Sequence, residues 1–175
     1  MRGYFGIGVE RISKAANVGA LLRTAHAFDA SFAFTVDRQV DASAFRQADT
    51  SEASRNMPLY AFADVETMTL PQGCEVVAIE LHDDAVDLPS FRHPRRAAYL
   101  LGSERGGLSE PLIARADHIV RIPTRFSINL SLAGALVMYD RLITLGRHAP
   151  RPERAGGPTE DLPPHVHGGQ ITRKR

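Results

Sequence analysis

The chain alternates short apolar runs with stretches of helical spacing, and that alternation limits the folds open to it. Tyr4 to Val9, Phe32 to Val36, Glu75 to Leu81 (EVVAIEL), Ala97 to Leu101 and His118 to Ile122 are short and apolar, as buried strands are. Asn17 to Phe28 places apolar side chains at Val18, Leu21, Leu22, Ala25 and Phe28, the spacing of an amphipathic helix, with Asn17 positioned to cap it. Ser109 to Ala116 reads as a short helix capped by Ser109. Ser127 to Leu145 reads as a long helix, apolar nearly all round and therefore buried. Asp41 to Tyr60 is polar and irregular, with room for helical pieces. Strands alternating with helices predict an α/β fold, a mostly parallel sheet flanked by helices on both faces. In such sheets ligands bind beyond the carboxyl ends of the strands. Ser13 to Arg23, Gly102 to Ser109 and Ile122 to Ser131 each put polar or glycine-rich residues just after a strand, so these segments are expected to converge on one edge.

The periodic region has the size of one domain, residues 1–146. From Arg147 onward the sequence is dense in Pro and Gly and lacks apolar periodicity, so residues 147–175 read as a flexible tail. Arg173, Lys174 and Arg175 at its end either touch nucleic-acid phosphates or are simply solvated. No apolar run approaches the ~18 residues that span a bilayer, and Met1 to Glu10 has no signal-peptide pattern. The expectation is a cytoplasmic protein with no membrane partner. The single cysteine, Cys74, offers neither an intrachain disulfide nor a zinc cluster. A net charge of +1 rules out bulk polycation binding, so any contact with nucleic acid must come from local patches. Lys14 and Lys174 are the only lysines. The other cations are arginines, whose planar fork grips phosphate in a way lysine cannot; a GC-rich coding bias would produce the same composition.

Several common chemistries are missing. There is no GxxxxGK[ST] phosphate loop, no HExxH, no clustered His/Cys metal site and no GxSxG elbow. Gly6 and Gly8 form a GxG inside the first strand without the third glycine of a dinucleotide fingerprint. His165 and His167 lie in the tail and read as solvated. No metal is expected.

Three segments carry a positive signal: NVGALLRTAHAFDA at 17–30, LLGSERGGLSE at 100–110 and IPTRFSINLSLAGALVMYDRL at 122–142. In this order and spacing they resemble the three motifs of the SpoU/TrmH-like family of SPOUT-class RNA methyltransferases. The resemblance covers the chain up to about Gly146. The family's first motif has Asn and, six residues on, Arg, matching Asn17 and Arg23; its second matches Leu101, Gly102, Ser103 and Glu104; its third matches Ser127, Asn129 and Ser131. The third motif departs from the usual Ser-Leu-Asn-Val-Ser only by conservative exchange, and Arg105 follows the glutamate where the family varies. The resemblance implies a parallel sheet whose C-terminal part forms a deep trefoil knot. It also implies S-adenosylmethionine as methyl donor, RNA as acceptor, and a homodimer with the active site near the interface.

Methyl transfer to a ribose 2′-hydroxyl requires a held donor, an aligned oxygen and a route for the proton. Gly102 at a strand end lets backbone approach a ligand. Ile79, Leu101, Ile122 and Leu130 could sandwich an adenine, or be ordinary core. Glu80 either bonds the donor's ribose or is an exposed strand-end carboxylate; Ser131 completes the donor set. The resemblance assigns Arg23 to the 2′-hydroxyl. A free guanidinium titrates above ~12, so two roles stay open: base in a minor deprotonated state, or phosphate clamp that stabilises charge on oxygen. Glu104 either orients Arg23 or Asn17, or supports the helix starting near Ser109. Asn17, Ser127 and Asn129 join the catalytic set, with helix capping as the plain alternative. Arg105, Arg121 and Arg125 make a positive rim for RNA phosphates.

Minimal single-domain relatives often modify tRNA, so tRNA is favoured over rRNA. Arg92, Arg95 and Arg96 form a second basic cluster, either an RNA dock or a solvated loop. The competing readings are a catalytically silent RNA-binding or assembly protein of the same fold, and a methyltransferase directed at a base.

Overall fold

The computed structural model describes residues 3–41, 43, 57–103, 106–146, 148, 152 and 155–157, and the backbone of 165–167 and 169–171. The strands are β1 (Tyr4–Glu10), β2 (Phe32–Val36), β3 (Leu59–Phe62), β4 (Glu75–Ile79), β5 (Val86–Asp87), β6 (Arg96–Leu101) and β7 (His118–Arg121). They form one sheet in the order β3-β2-β1-β6-β4-β7-β5, with every pairing parallel. Among the described residues three α-helices accompany them: α1 (Ala15–Ala27), α2 (Glu110–Arg115) and α3 (Leu130–Leu145).

Alternation along β6 shows how the sheet is buried on both sides. Ala97, Tyr99 and Leu101 join a core under α1 and α3 that includes Val18, Leu21, Leu22, Val137 and Met138. Ala98 and Leu100 face the opposite core, which holds Phe32, Phe34 and Leu112 of α2. Gly6 and Gly8 serve this second core. A Cβ at either would fall on the ring of Phe32 or Phe34, so the GxG makes room for two aromatics. Gly134 does the same between helices, where a Cβ would meet Leu21 and hold α1 and α3 apart.

The predicted α/β class and the parallel sheet are present, with corrections at particular elements. Asn17 does not cap α1; the helix begins two residues earlier, with Lys14 at the cap position and no side-chain cap bond. Ser109 does cap α2, accepting from Leu112 N. α3 begins at Leu130 rather than Ser127, because the Asn129 side chain accepts from Ser131 N and fixes the first turn there. Nor is α3 buried all round: Leu132, Leu136, Tyr139, Leu142, Ile143 and Leu145 are exposed along it. Within the segment read as a tail, the backbone pairs β8 (His165–His167) with β9 (Gly169–Ile171) antiparallel, a pairing too short to leave an apolar period. Most of 41–56 lies outside the described residues. Among the described residues, no helix is long and apolar enough to cross a membrane.

The amino end of the sheet is fastened by Arg141 from α3. It is 6% exposed, stacks over Phe5 and Tyr99, and donates to the Pro94 carbonyl (2.6 Å), the Arg95 carbonyl (2.9 Å) and the Tyr99 hydroxyl (3.1 Å). His93 links the same hydroxyl, at 2.6 Å, to Asp140 at 2.9 Å. Burial pushes the Tyr99 phenol up to about 12 and lowers the basicity of His93. Arg141→Ala would strip the donor from the part-buried carbonyls and the buried Tyr99 hydroxyl and leave a cavity. The expected loss is roughly 3 kcal/mol in urea unfolding. Arg141→Lys should recover little of it, since a single ammonium cannot span the same acceptors.

Candidate active site

Strand order reverses between β1 and β4, with β6 inserted between them. The carboxyl ends of β4 and β6 lie side by side there, and ligand sites of parallel sheets form at such points. The chain leaving β7 returns over them through residues 122–129 into α3. A cleft of about 180 Å³ opens between these parts. That is below the ~300–1,000 Å³ of most ligand pockets, so a nucleoside-sized ligand would project from its mouth. Ile79, Leu101, Ile122, Ile128, Leu130 and Ala133 make the apolar wall. Glu80, Ser103, Thr124 and Ser127 supply the polar groups. Among the described lining residues Glu80 is the one charged side chain, and its field favours a cationic or neutral ligand over an anion.

The floor of the cleft is a loop held by carboxylates. Gly107 N donates to the Ser103 carbonyl at 3.0 Å, folding the chain back on itself. Gly107 has φ +60, a left-handed conformation suited to glycine. Gly102 is needed because a Cβ there would fall on the backbone of Gly107 and Leu108. The backbone that Gly102 lets approach is the protein's own loop, beside the cleft that Gly102 also lines. Glu80 Oε2 accepts from Leu108 N at 2.7 Å and Oε1 from Leu81 N at 2.9 Å. Glu10, only 2% exposed, accepts from Ser109 N at 2.7 Å and from its hydroxyl at 2.5 Å. Arg11, left-handed at φ +51, donates to the Gly107 carbonyl at 3.1 Å. The sequence reading missed Glu10 and Arg11. Their signal is a charged pair ending an otherwise buried strand, a position where an unpartnered charge would be costly.

The three predicted segments do meet. Asn129 Nδ2 donates to Asn17 Oδ1 at 3.2 Å, joining the first segment to the third. Asn17 Nδ2 is buried and makes no hydrogen bond among the described residues. Of the expected donor-binding residues, Ile79, Glu80, Leu101, Gly102, Ile122 and Leu130 line the cleft, as does Ser127 of the catalytic set. Ser131 does not line it; its hydroxyl donates to Asn129 Oδ1 at 2.6 Å. Arg23 does not line it either. It sits on the exposed face of α1 with Ala16, Ala20 and Ala27, and has no hydrogen bond or ion pair among the described residues. Arg125 is exposed near the mouth, whereas Arg121 Nε is engaged by Asp87 Oδ1 at 2.6 Å. Glu104 and Arg105 lie outside the described residues. Arg92, Arg95 and Arg96 are exposed at the amino end of β6, the end away from the cleft. Among the described residues no His, Cys, Asp and Glu side chains cluster as metal ligands.

The chain matches the model of the SpoU rRNA Methylase family over residues 5–139. It is 29% identical over 140 residues to the tRNA (guanosine(18)-2′-O)-methyltransferase of Escherichia coli, an alignment covering 75% of this chain and 60% of that protein. It is also 29% identical over 139 residues to the enzyme of the same name from Thermus thermophilus, covering 75% and 71%. Its fold resembles that of the AdoMet-bound rRNA methyltransferase from Sinorhizobium meliloti, with a TM-score of 0.73 at 24% identity, over 82% of this chain and 57% of that one.

Proposed function

Since the chain belongs to the SpoU rRNA Methylase family, we propose that it transfers a methyl group from S-adenosylmethionine to a ribose 2′-hydroxyl of RNA, with tRNA the favoured substrate. The observation that carries the reading is the cleft, where the second and third motifs meet around an apolar wall and one carboxylate. The apolar wall suits an adenine. Glu80 spends one acceptor site of each oxygen on backbone amides, and a carboxylate has further lone pairs to offer a ribose. Among the described residues the lining carries no cation, which suits a sulfonium. S-adenosylmethionine, when bound, supplies an electrophilic methyl group. The 2′-oxygen takes that methyl as the carbon–sulfur bond breaks, and its proton must leave. In this reading Arg23 receives the proton or stabilises the oxygen's developing charge, and Asn17, Glu104, Ser127 and Asn129 complete its surroundings. Arg105, Arg121 and Arg125 meet phosphates.

Arg23 lies outside the cleft of its own chain, and a second copy resolves the separation. The exposed apolar row on α3, from Leu132 to Leu145, is the kind of patch that a soluble monomer rarely leaves to water. A second copy packed there would form a homodimer whose symmetry brings each cleft near the other chain's helices. The reading assigns residues 1–146 to the methyltransferase domain and 147–175 to an appended segment. It places the trefoil knot where the chain returns from β7 to α3, and the protein in the cytoplasm.

The test is methyl transfer from labelled S-adenosylmethionine to unmodified tRNA and, separately, to rRNA. Recovery of label from tRNA as a 2′-O-methylnucleoside is expected. Label on a base, or no label despite measurable cofactor binding, would overturn the reading.

A further inference from the structure

The segment joining β7 to α3 faces two ways. Ile122, Thr124, Ser127 and Ile128 turn into the cleft. Phe126 does not line it, and at 76% exposure it is the most exposed large hydrophobic side chain among the described residues. A single exposed apolar residue is ordinary on a loop that wanders, but this loop is bonded at both ends. Thr124 N donates to the Ile122 carbonyl at 2.8 Å, and the Thr124 hydroxyl donates to the Phe126 carbonyl at 2.8 Å. Beyond Phe126, Asn129 caps α3 and reaches Asn17. The backbone that carries the ring is therefore fixed beside the mouth of the cleft.

Its neighbours indicate what the ring is for. Arg125 is exposed and has no hydrogen bond or ion pair among the described residues. On the other side is Ser127. An aromatic anchor at a protein interface is normally ringed by apolar surface that excludes water, and these chain neighbours provide none. An aromatic face beside an uncommitted guanidinium instead matches the two things an unpaired nucleotide presents, a π-face and a phosphate.

We propose that Phe126 and Arg125 form a stacking platform for an unpaired base of the RNA, next to the nucleotide whose ribose enters the cleft. This rests on the RNA methyl-transfer reading and adds a positioning device to it. Every base has a π-face, so the platform selects for an unstacked nucleotide and not for a particular base.

The experiment measures binding of fluorescein-labelled, unmodified tRNA to the full chain by anisotropy, with steady-state methyl transfer alongside. Phe126→Ala is expected to weaken RNA binding and raise KM for RNA by about tenfold. Cofactor affinity, kcat and oligomeric state should stay unchanged. Phe126→Trp should restore binding, and Arg125→Ala should weaken it and flatten its salt dependence. RNA affinity within about twofold of wild type for Phe126→Ala would overturn the proposal. So would a shift of that variant toward monomer, which would assign the ring to a protein interface. If the wild-type chain binds tRNA but methylates nothing, the methyl-transfer reading fails, and the anisotropy series still decides the platform.

Discussion

Arg23→Ala is expected to lower methyl transfer by about two to three orders of magnitude while leaving the fold and cofactor affinity unchanged. The structure separates these effects. Arg23 is exposed on α1 and unbonded among the described residues, so its truncation should move stability by no more than about 0.5 kcal/mol. It does not line the cleft, so donor binding should not change. Single-turnover transfer with labelled donor, read beside thermal unfolding and calorimetric titration of S-adenosylmethionine, checks all three. A variant that loses donor binding or unfolds would place Arg23 in the scaffold and remove it from the reaction. Arg23→Lys divides the two chemical roles. A phosphate clamp needs the two-pronged guanidinium and should lose most of the activity, whereas a base can be replaced by an amine and should regain activity at high pH.

Gly102→Ala should abolish measurable binding of S-adenosylmethionine. The added Cβ would fall on the main chain of Gly107 and Leu108, and backbone cannot swing aside as a flexible side chain can. Relief requires the loop to lift, which pulls Leu108 N from Glu80 and Ser109 from Glu10. The expected stability loss is about 1–3 kcal/mol. Gly157→Ala is the control, since nothing lies within 4 Å of a Cβ at that position. Unchanged donor affinity in Gly102→Ala would mean the cleft is not the donor site. Gly102→Ala and Arg23→Ala also test the dimer when combined. If a working site takes its cleft from one copy and Arg23 from another, mixing the inactive proteins should restore about a quarter of wild-type activity, because half the dimers are mixed and each carries one intact site. No recovery after subunit exchange would confine each site to a single chain.

Much of the sheet was legible because parallel strands buried on both faces are short, apolar and punctuated. β2 matches its predicted run, Phe32–Val36, and β1, β4, β6 and β7 differ from theirs only at the ends. β3 and β5 were not legible. β3 sits at the sheet edge, with Tyr60 51% exposed, and β5 is two residues long, so neither leaves a burial pattern. The start of α1 was misplaced because Asn17 is the third residue of the helix, where its side chain bonds Asn129 across to the third segment. α3 misled for a different reason. Periodicity distinguishes apolar from polar, and a helix with two apolar faces looks the same whether both are covered or one is bare. The cleft was legible as a convergence of segments. The Glu10 carboxylate beneath it was not, because Glu10 and Ser109 are 99 positions apart and only the fold brings them together.

α3 meets several geometric demands along one rod. Its first turn walls the cleft with Leu130 and Ala133, Gly134 admits Leu21, Leu136 and Tyr139 look outward, and Arg141 reaches the carbonyls at the far end of the sheet. Each residue added to or removed from a helix turns everything beyond it by about 100° and shifts it by about 1.5 Å. One extra residue after Gly134 would swing Arg141 out of its socket and Leu136 into the core. A substitution in this helix acts at its own position, whereas a change of length displaces every contact beyond it. The spacing between Leu130 and Arg141 is therefore a fixed ruler, and variation in chain length among related proteins belongs in the loops on either side of it.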